Sequence, residues 1–389
     1  MISFNKPSHI VITCSKRLAP YLEQEVLSLG FKIKKTFQTG VELSGTLNDC
    51  IKLNLNLRCA SQVLYSLKSF LCNSPEELYY ILSQVQWETL IPKDGYFSVT
   101  SKVEHPTINN TLFANVKVKD AIADRFRAKT NERPNSGPNL QNTVIHLFWR
   151  NEVAEIFIDT SGETLAKHGY RKIPGHAPML ESLAAGTILS TTWDRKSTFI
   201  NPMCGSGTVA IEAALLATNR SPGLFRINYG FKHVLGFEEQ FYEQEKSRLV
   251  SQVREIHGLQ IIATDISSDA INISKINAGA AGVAELIEFK VCDFSETKVP
   301  SGGGLVYFNP EYGERMGDAT ELAGTYARIG DFLKQNCKGF TGYVFTGNLD
   351  LAKKIGLKST RKIEFYTGKI DCRLMEYELY EGRRQKPAS

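Results

Sequence analysis

The segment Asn309-Pro310-Glu311-Tyr312 follows an apolar run, Gly304-Leu305-Val306-Tyr307-Phe308, that reads as a buried strand. A short polar residue, a proline and an aromatic at a strand's carboxyl end are what methyl transfer to an exocyclic base amine needs. The Asn309 side-chain oxygen and the Pro310 carbonyl can accept the two amine hydrogens, and Tyr312 can stack on the base. Asn-Pro is also a common turn dipeptide, so taken alone these four residues read first as a turn.

Three earlier strand ends also carry polar residues. Asn201-Pro202-Met203-Cys204-Gly205-Ser206-Gly207-Thr208 joins a strand at 198–201 to a small-residue helix at 208–218. Gly205 and Gly207 permit a tight turn and a ligand's close approach to backbone N–H groups at a helix start. Such a loop suits a dinucleotide or S-adenosylmethionine (SAM) equally. It lacks the Gly-Lys-Ser/Thr that cradles a triphosphate, which argues against a P-loop hydrolase. Asp265, followed by Ile266, ends the run Ile261-Ile262-Ala263-Thr264, where a carboxylate can accept both ribose hydroxyls or cap the next helix. Asp293, followed by Phe294, ends a third strand at 288–294, placed to accept from an adenine amine or again to cap. With Asn309, four successive tips on one sheet edge carry a polar candidate. A nicotinamide dehydrogenase would use the first two and leave the last idle.

The elements that position these tips begin near residue 161. Strands at 198–201, 260–266, 288–294, 305–309 and 343–346 alternate with helices at 208–218, 268–281 and 322–335, and a hairpin of 361–367 and 371–380 turns at Gly368. This predicts an α/β class, a doubly wound Rossmann-like sheet with an antiparallel edge. Upstream, strands at 9–13, 31–37, 40–44 and 62–70 with helices at 18–29 and 47–57 form a small α+β unit. A second follows, with helices at 75–85 and 113–129, a strand at 96–101 and a hairpin of 143–149 and 153–159. The predicted domains are 1–70, 71–160 and 161–384.

The 113–129 helix carries Lys117, Lys119, Arg125, Arg127 and Lys129, and Arg133 follows in a Pro/Gly/Asn loop. These are candidate contacts for an RNA backbone; a solvated face partly neutralised by Asp120, Asp124 and Glu132 is the alternative. Net charge is +5 over 389 residues, which permits a nucleic-acid partner without demanding one. The eight cysteines, Cys14, Cys50, Cys59, Cys72, Cys204, Cys292, Cys337 and Cys372, show no Cys-x-x-Cys spacing, and the histidines are scattered. No metal site is expected, and most of the thiols read as small buried hydrophobes in a reducing compartment. There is no signal-peptide core, and no run of roughly 18–20 apolar residues. A cytoplasmic location with no membrane contact is therefore expected.

The chain resembles the bacterial 23S rRNA guanine-N2 methyltransferases that join a ferredoxin-like segment, a THUMP RNA-binding domain and a SAM-dependent methyltransferase domain. The resemblance rests on Val116-Lys117-Val118-Lys119-Asp120-Ala121-Ile122, on Asp159-Thr160-Ser161-Gly162-Glu163 with His168-Gly169-Tyr170-Arg171, and on Ala177-Pro178-Met179-Leu180-Glu181-Ser182-Leu183-Ala184-Ala185. Also shared are Pro202-Met203-Cys204-Gly205-Ser206-Gly207-Thr208, Ala217-Thr218-Asn219-Arg220-Ser221-Pro222-Gly223-Leu224 and Asn309-Pro310-Glu311-Tyr312-Gly313-Glu314-Arg315. Some members fuse a second methyltransferase domain downstream; the single-domain form is expected here.

The resemblance implies SAM as cofactor and RNA as partner, 23S rRNA or a large-subunit precursor. It places Asn201, Pro202, Met203, Cys204, Gly205, Gly207, Thr208, Ile266, Phe294 and Asn309 beside SAM, with Asp265 at the ribose and Asp293 at the adenine. Glu181 and Ser182 would meet the methionine end, while Asn309, Pro310 and Tyr312 hold the target base. Two positions depart from the family pattern: Asn201 stands where aspartate is usual, and Glu311 where a second proline restricts the backbone. The alternatives are a tRNA guanine-N2 or DNA adenine-N6 methyltransferase, and an inactive RNA-binding ribosome-assembly factor.

Overall fold

The computed structural model describes residues 3–106, 108, 111–175, 178–312 and 319–380. Ala177 and the run Gly313-Glu314-Arg315, quoted above for the resemblance, lie outside the described residues. The chain divides into two compact units. The first takes the chain up to Cys14 with Leu22–Ala166 and Pro222–Ser251; the second takes Ser15–Tyr21, Lys167–Ser221 and the chain from Gln252 onward.

In the first unit one sheet runs in the order Ile33–Phe37, Gly40–Gly45, Ser8–Cys14, Ala60–Leu71, Val153–Asp159, Thr143–Arg150, Tyr96–Glu104, Asn135–Ser136. The long strand Ala60–Leu71 makes it continuous. It pairs antiparallel with Ser8–Cys14 (Ile12 opposite Val63) and with Val153–Asp159 (Tyr65 opposite Ile158), so both edges have their backbone groups satisfied. The Asp159-Thr160-Ser161-Gly162 stretch fixes the end of this sheet. Asp159, buried, accepts from Ser161 N at 3.0 Å and Gln62 Nε2 at 2.7 Å, and Ser161 Oγ accepts from Val63 N at 2.8 Å. Burial pushes the Asp159 carboxyl up to about 6, although these donors favour its charged form.

The segment Pro222–Ser251 packs here too. Arg226 donates to the Thr164 and Glu163 carbonyls at 2.7 and 2.8 Å, and Glu245 accepts from Asn56 Nδ2 at 2.6 Å. Its helix, Glu239–Ser251, buries only Tyr242 and Leu249, so the sequence shows no apolar stripe to announce it.

The second unit holds a seven-stranded sheet in the order Ile287–Val291, Ile261–Asp265, Thr198–Pro202, Gly304–Phe308, Phe340–Thr346, Ile370–Glu378, Arg361–Thr367. The first five strands are parallel and the last two form the predicted antiparallel edge. Two helices absent from the sequence reading occur. Glu181–Leu189 is buried on every side through Ile188, so it has no amphipathic period. Leu349–Lys354 is a short helix started by Asn348, whose side chain accepts from Asp350 N and Leu351 N. The third strand ends at Val291 rather than 294, because Asp293 accepts from Ser295 N at 2.9 Å and turns the chain into Phe294–Glu296. Phe294, Phe308 and Phe332 then meet edge to face at 5.7–6.3 Å, clamping that turn and the fourth strand tip to the helix Ala319–Asn336. Among the described residues no helix is long and apolar enough to cross a membrane.

Gly230 lies where a Cβ would fall 2.2 Å from the Asp159 carbonyl oxygen. Gly230→Ala is therefore expected to destabilise the protein by about 1–3 kcal/mol through overpacking. Chemical denaturation measures this, and a midpoint equal to that of the wild type would contradict the close approach.

Candidate functional site

Thr198–Pro202 stays paired with Ile261–Asp265 as far as Pro202 opposite Thr264. On its other side it pairs with Gly304–Phe308 only from Thr198 to Ile200. The sheet order reverses between these two strands, and a crevice opens beyond their carboxyl ends. Asn201 sits where they part. Its buried amide donates to Tyr307 O at 2.9 Å, a bond that an aspartate carboxylate could not make. The departure at 201 thus keeps the two strands tied. Asn201 Oδ1 and, two residues beyond Tyr307, Asn309 Oδ1 are both buried and meet no donor among the described residues.

The loop after Asn201 is built on left-handed residues: Met203 at φ 55°, Gly205 at 56° and Gly207 at 80°. Only glycine fits at 207, where a Cβ would come within 2.9 Å of the Ser274 side chain; at Gly205 the same direction is open space. Gly205 N donates to Asp265 Oδ2 at 2.9 Å, Ser267 N to Asp265 Oδ1 at 3.0 Å, and Ser274 Oγ to Gly205 O at 2.8 Å. Asp265 thereby positions the loop and keeps lone pairs for a ligand's hydroxyls. It is Ser267, not Asp265, whose side chain caps the next helix. Ile266 beside it is 73% exposed, an apolar surface at the sheet edge. Burial pushes the Cys204 thiol up to about 12.

Asp293 takes Arg328, Ser295 Oγ and Ser295 N all on Oδ1, at 2.6, 2.6 and 2.9 Å, leaving Oδ2 for an outside donor. The Arg328 hydrogen bond foremost holds the carboxyl at about 2. The Phe294 ring is buried in the core, with Arg328 4.7 Å over it.

Glu181 and Ser182 open the buried helix Glu181–Leu189, where burial raises the Glu181 carboxyl. Ser182 Oγ is buried without a partner among the described residues. Arg171 is the organiser that sequence reasoning missed as a site residue. It donates to Met179 O at 2.6 Å and Thr208 Oγ1 at 2.9 Å, and lies 3.4 Å from Glu181. Behind it, fully buried His168 and Glu212 bond at 2.7 Å. Buried Asn277 accepts from Lys172 N and Ile173 N and donates to Ser206 O, tying this segment to the glycine loop. The signal was the His168-Gly169-Tyr170-Arg171 motif, whose buried hydrogen bonds have no periodicity to read.

Pro310 is buried and Glu311 exposed. The Tyr312 ring is edge-on to Phe345 at 6.2 Å and rests on Gly347, where a Cβ would fall 2.9 Å from it. Burial, with the Cys372 thiol close by, pushes its phenol up to about 12.

In the first unit, the cations of helix Thr111–Thr130 divide. Arg125 is committed to Glu88 by two hydrogen bonds, Arg127 pairs with Asp124 at 3.0 Å, and Lys117 lies 4.0 Å from Glu76. Lys119, Lys129 and Arg133 form no ion pair among the described residues. No group of three or more His, Cys, Asp or Glu side chains among those residues is placed to hold a metal ion.

Three family models match the chain: an RlmL ferredoxin-like domain over residues 9–64, a THUMP domain over 72–159 and an RMKL-like methyltransferase domain over 168–376. Ribosomal RNA large subunit methyltransferase K/L of Syntrophotalea carbinolica is 34% identical, over 97% of this chain and 54% of its own length. The chain thus spans about half the length of the curated relatives it matches. Among solved structures, the methyltransferase candidate SMU.472, complexed with SAH, aligns at a TM-score of 0.86 and 25% identity, covering 97% of this chain and 100% of that one. A predicted N6-adenine-specific DNA methylase from Listeria monocytogenes aligns at 0.84 and 28%, covering 96% and 97%.

Arg171→Ala is expected to weaken SAH binding about tenfold or more, a loss of roughly 1.4 kcal/mol. Arg171→Lys would restore little, because one ammonium cannot reproduce the guanidinium fork. Isothermal calorimetry reads both, and wild-type SAH affinity in Arg171→Ala would rule out this role.

Proposed function

We propose that this chain, which belongs to the RMKL-like methyltransferase family with its ferredoxin-like and THUMP domains, methylates the exocyclic N2 amine of a guanine in 23S rRNA with SAM as donor. The observation that carries the reading is Asn309: a carbonyl oxygen, buried and without a donor among the described residues, followed by a proline at the tip of a strand that borders the crevice. An aromatic or ring amine is the kind of group such an oxygen can complete.

The donor set fits SAM. Asn201 Oδ1 and the Glu181 carboxylate suit an ammonium, Asp265 suits the ribose hydroxyls, Ile266 a flat ring, and Asp293 Oδ2 an adenine amine. Bound SAM supplies an electrophilic methyl on a positively charged sulfur. A guanine N2 is a poor nucleophile because its lone pair is delocalised into the ring. Hydrogen bonds to Asn309 Oδ1 and the Pro310 carbonyl favour a pyramidal nitrogen with that lone pair released. Orientation of this kind can supply several kcal/mol, about what well-placed intramolecular reactions gain, without a strong base. Stacking on Tyr312 offsets roughly 1–3 kcal/mol of the cost of unstacking the base. Lys119, Lys129 and Arg133 remain available for the RNA backbone, whereas Arg125 serves the fold.

Glu311 is exposed rather than packed into the site, which favours an active enzyme over an inactive assembly factor. Amine acceptors do not choose the base, and the name of the Listeria neighbour keeps adenine N6 of DNA as the second reading. The THUMP match favours RNA.

Two measurements test this. Asn309→Ala should reduce transfer to large-subunit RNA by at least about a hundredfold, as removal of one oriented polar group does at other sites, with SAH affinity near that of the wild type. Undiminished turnover would sink the role of Asn309. Mapping modified bases in large-subunit RNA with and without the gene should show one N2-methylguanine lost. An unchanged guanine pattern would reject the substrate, and SAH binding without transfer would favour the assembly factor.

A further inference from the structure

Ser15–Tyr21 groups with the second unit although the residues on both sides of it group with the first. Its contacts explain why. Arg17 bonds Glu364 at 2.5 Å, Lys16 Nζ sits 4.2 Å over the Tyr366 ring, and Tyr21 stacks on Phe365 at 5.8 Å and 22°. Arg17 is held at φ 74°, an uncommon conformation for a long side chain that persists only where the surroundings fix it. The strap is clamped to the edge hairpin, not draped on it.

The turn of that hairpin stands at the carboxyl edge of the sheet, because Thr346, the last residue of its strand, pairs with Arg373, two residues beyond Asp371. It also stands beside the proposed base site: a Cβ at Gly347 would meet both Ile370 and the Tyr312 ring, at 2.8 and 2.9 Å. Lys362, Glu364 and Tyr366 alternate onto one face of the edge strand, opposite Met375, Arg373 and Asp371. The carboxylates on this face are already engaged, Glu364 by Arg17 and Arg373, and Asp371 by Arg373. Lys16, Lys362 and Lys369 are exposed and make no ion pair among the described residues. Exposed lysines without an ion pair, set beside a half-exposed tyrosine, suit the phosphates of a nucleic-acid strand.

We infer that the Ser15–Tyr21 strap and the hairpin of Arg361–Thr367 and Ile370–Glu378 bind the RNA backbone flanking the nucleotide whose base enters the Asn309 site. This rests on the RNA-methyltransferase reading and adds a second backbone contact surface, in the unit that carries the chemistry.

The test is fluorescence anisotropy with a fluorescein-labelled, mixed-sequence single-stranded RNA oligonucleotide, titrated from about 50 to 200 mM salt. Lys16→Ala/Lys369→Ala should lower the slope of log affinity against log salt by about 1.4, two contacts at about 0.7 each, and weaken binding about tenfold. Lys16→Arg/Lys369→Arg should retain the wild-type slope, and SAH affinity should be unchanged in both, which separates charge from misfolding. On large-subunit RNA the alanine pair should raise KM and leave kcat. Wild-type slope and affinity in the alanine pair would overturn the surface whatever the transfer rate. A wild-type protein that binds the oligonucleotide with the expected slope but transfers no methyl would reject the enzymatic reading and leave the binding result standing.

Discussion

Two parallel strands that part before their ends create the crevice on which the second unit depends. Thr198–Pro202 remains fully paired on one side and loses its partner after Ile200 on the other. Backbone groups freed in this way need a substitute, and Asn201 provides one by donating to Tyr307 O. The same amide fixes where the fourth strand diverges, and Asn309 lies two residues later. The glycine loop, Asp265 and Arg171 are all arranged around that opening. A carboxylate at 201 would face the Tyr307 carbonyl as a second acceptor, so the amide is a different solution to the same geometric demand.

Much of this was legible in the sequence, because parallel strands buried on both faces read as apolar runs with polar tips. Asp265, Asp293 and Asn309 were each visible as a polar residue closing such a run. The helix Glu181–Leu189 was not, since burial on every side erases periodicity, and the polar helix Glu239–Ser251 was missed for the opposite reason. The third strand end was misplaced by the apolar Phe294, which belongs to an aromatic cluster rather than to a strand. Arg171 could not be found by pattern at all. Its partners are a carbonyl, a hydroxyl and a carboxylate distant along the chain, and only the fold brings them together.

The unsatisfied oxygens carry separate weight. A buried polar group without a partner costs roughly 1–3 kcal/mol, a sizeable part of a domain's net stability. Asn201 Oδ1, Asn309 Oδ1 and Ser182 Oγ all fall in the segments that border the crevice or its cofactor loop. Other buried side-chain atoms, Glu212 Oε2 and the Tyr377 hydroxyl among them, also meet no partner among the described residues, so what sets these three apart is their shared position at one sheet edge.

The cations divide along the same line. Arg125, Arg171, Arg226 and Arg328 each use the guanidinium fork on carboxylates or carbonyls of the fold. Lys16, Lys119, Lys129 and Lys369 carry no such commitment among the described residues. A planar, weakly hydrated guanidinium holds several acceptors in fixed directions, which suits permanent contacts inside a protein. An ammonium on a flexible stem remains hydrated and adapts to phosphates whose positions vary along a strand. Total basic charge therefore says little about where nucleic acid is held. Among the cations that the fold leaves without an ion pair are Lys119, Lys129 and Arg133 in one unit, and in the other the lysines of the strap and of the hairpin beside Tyr312.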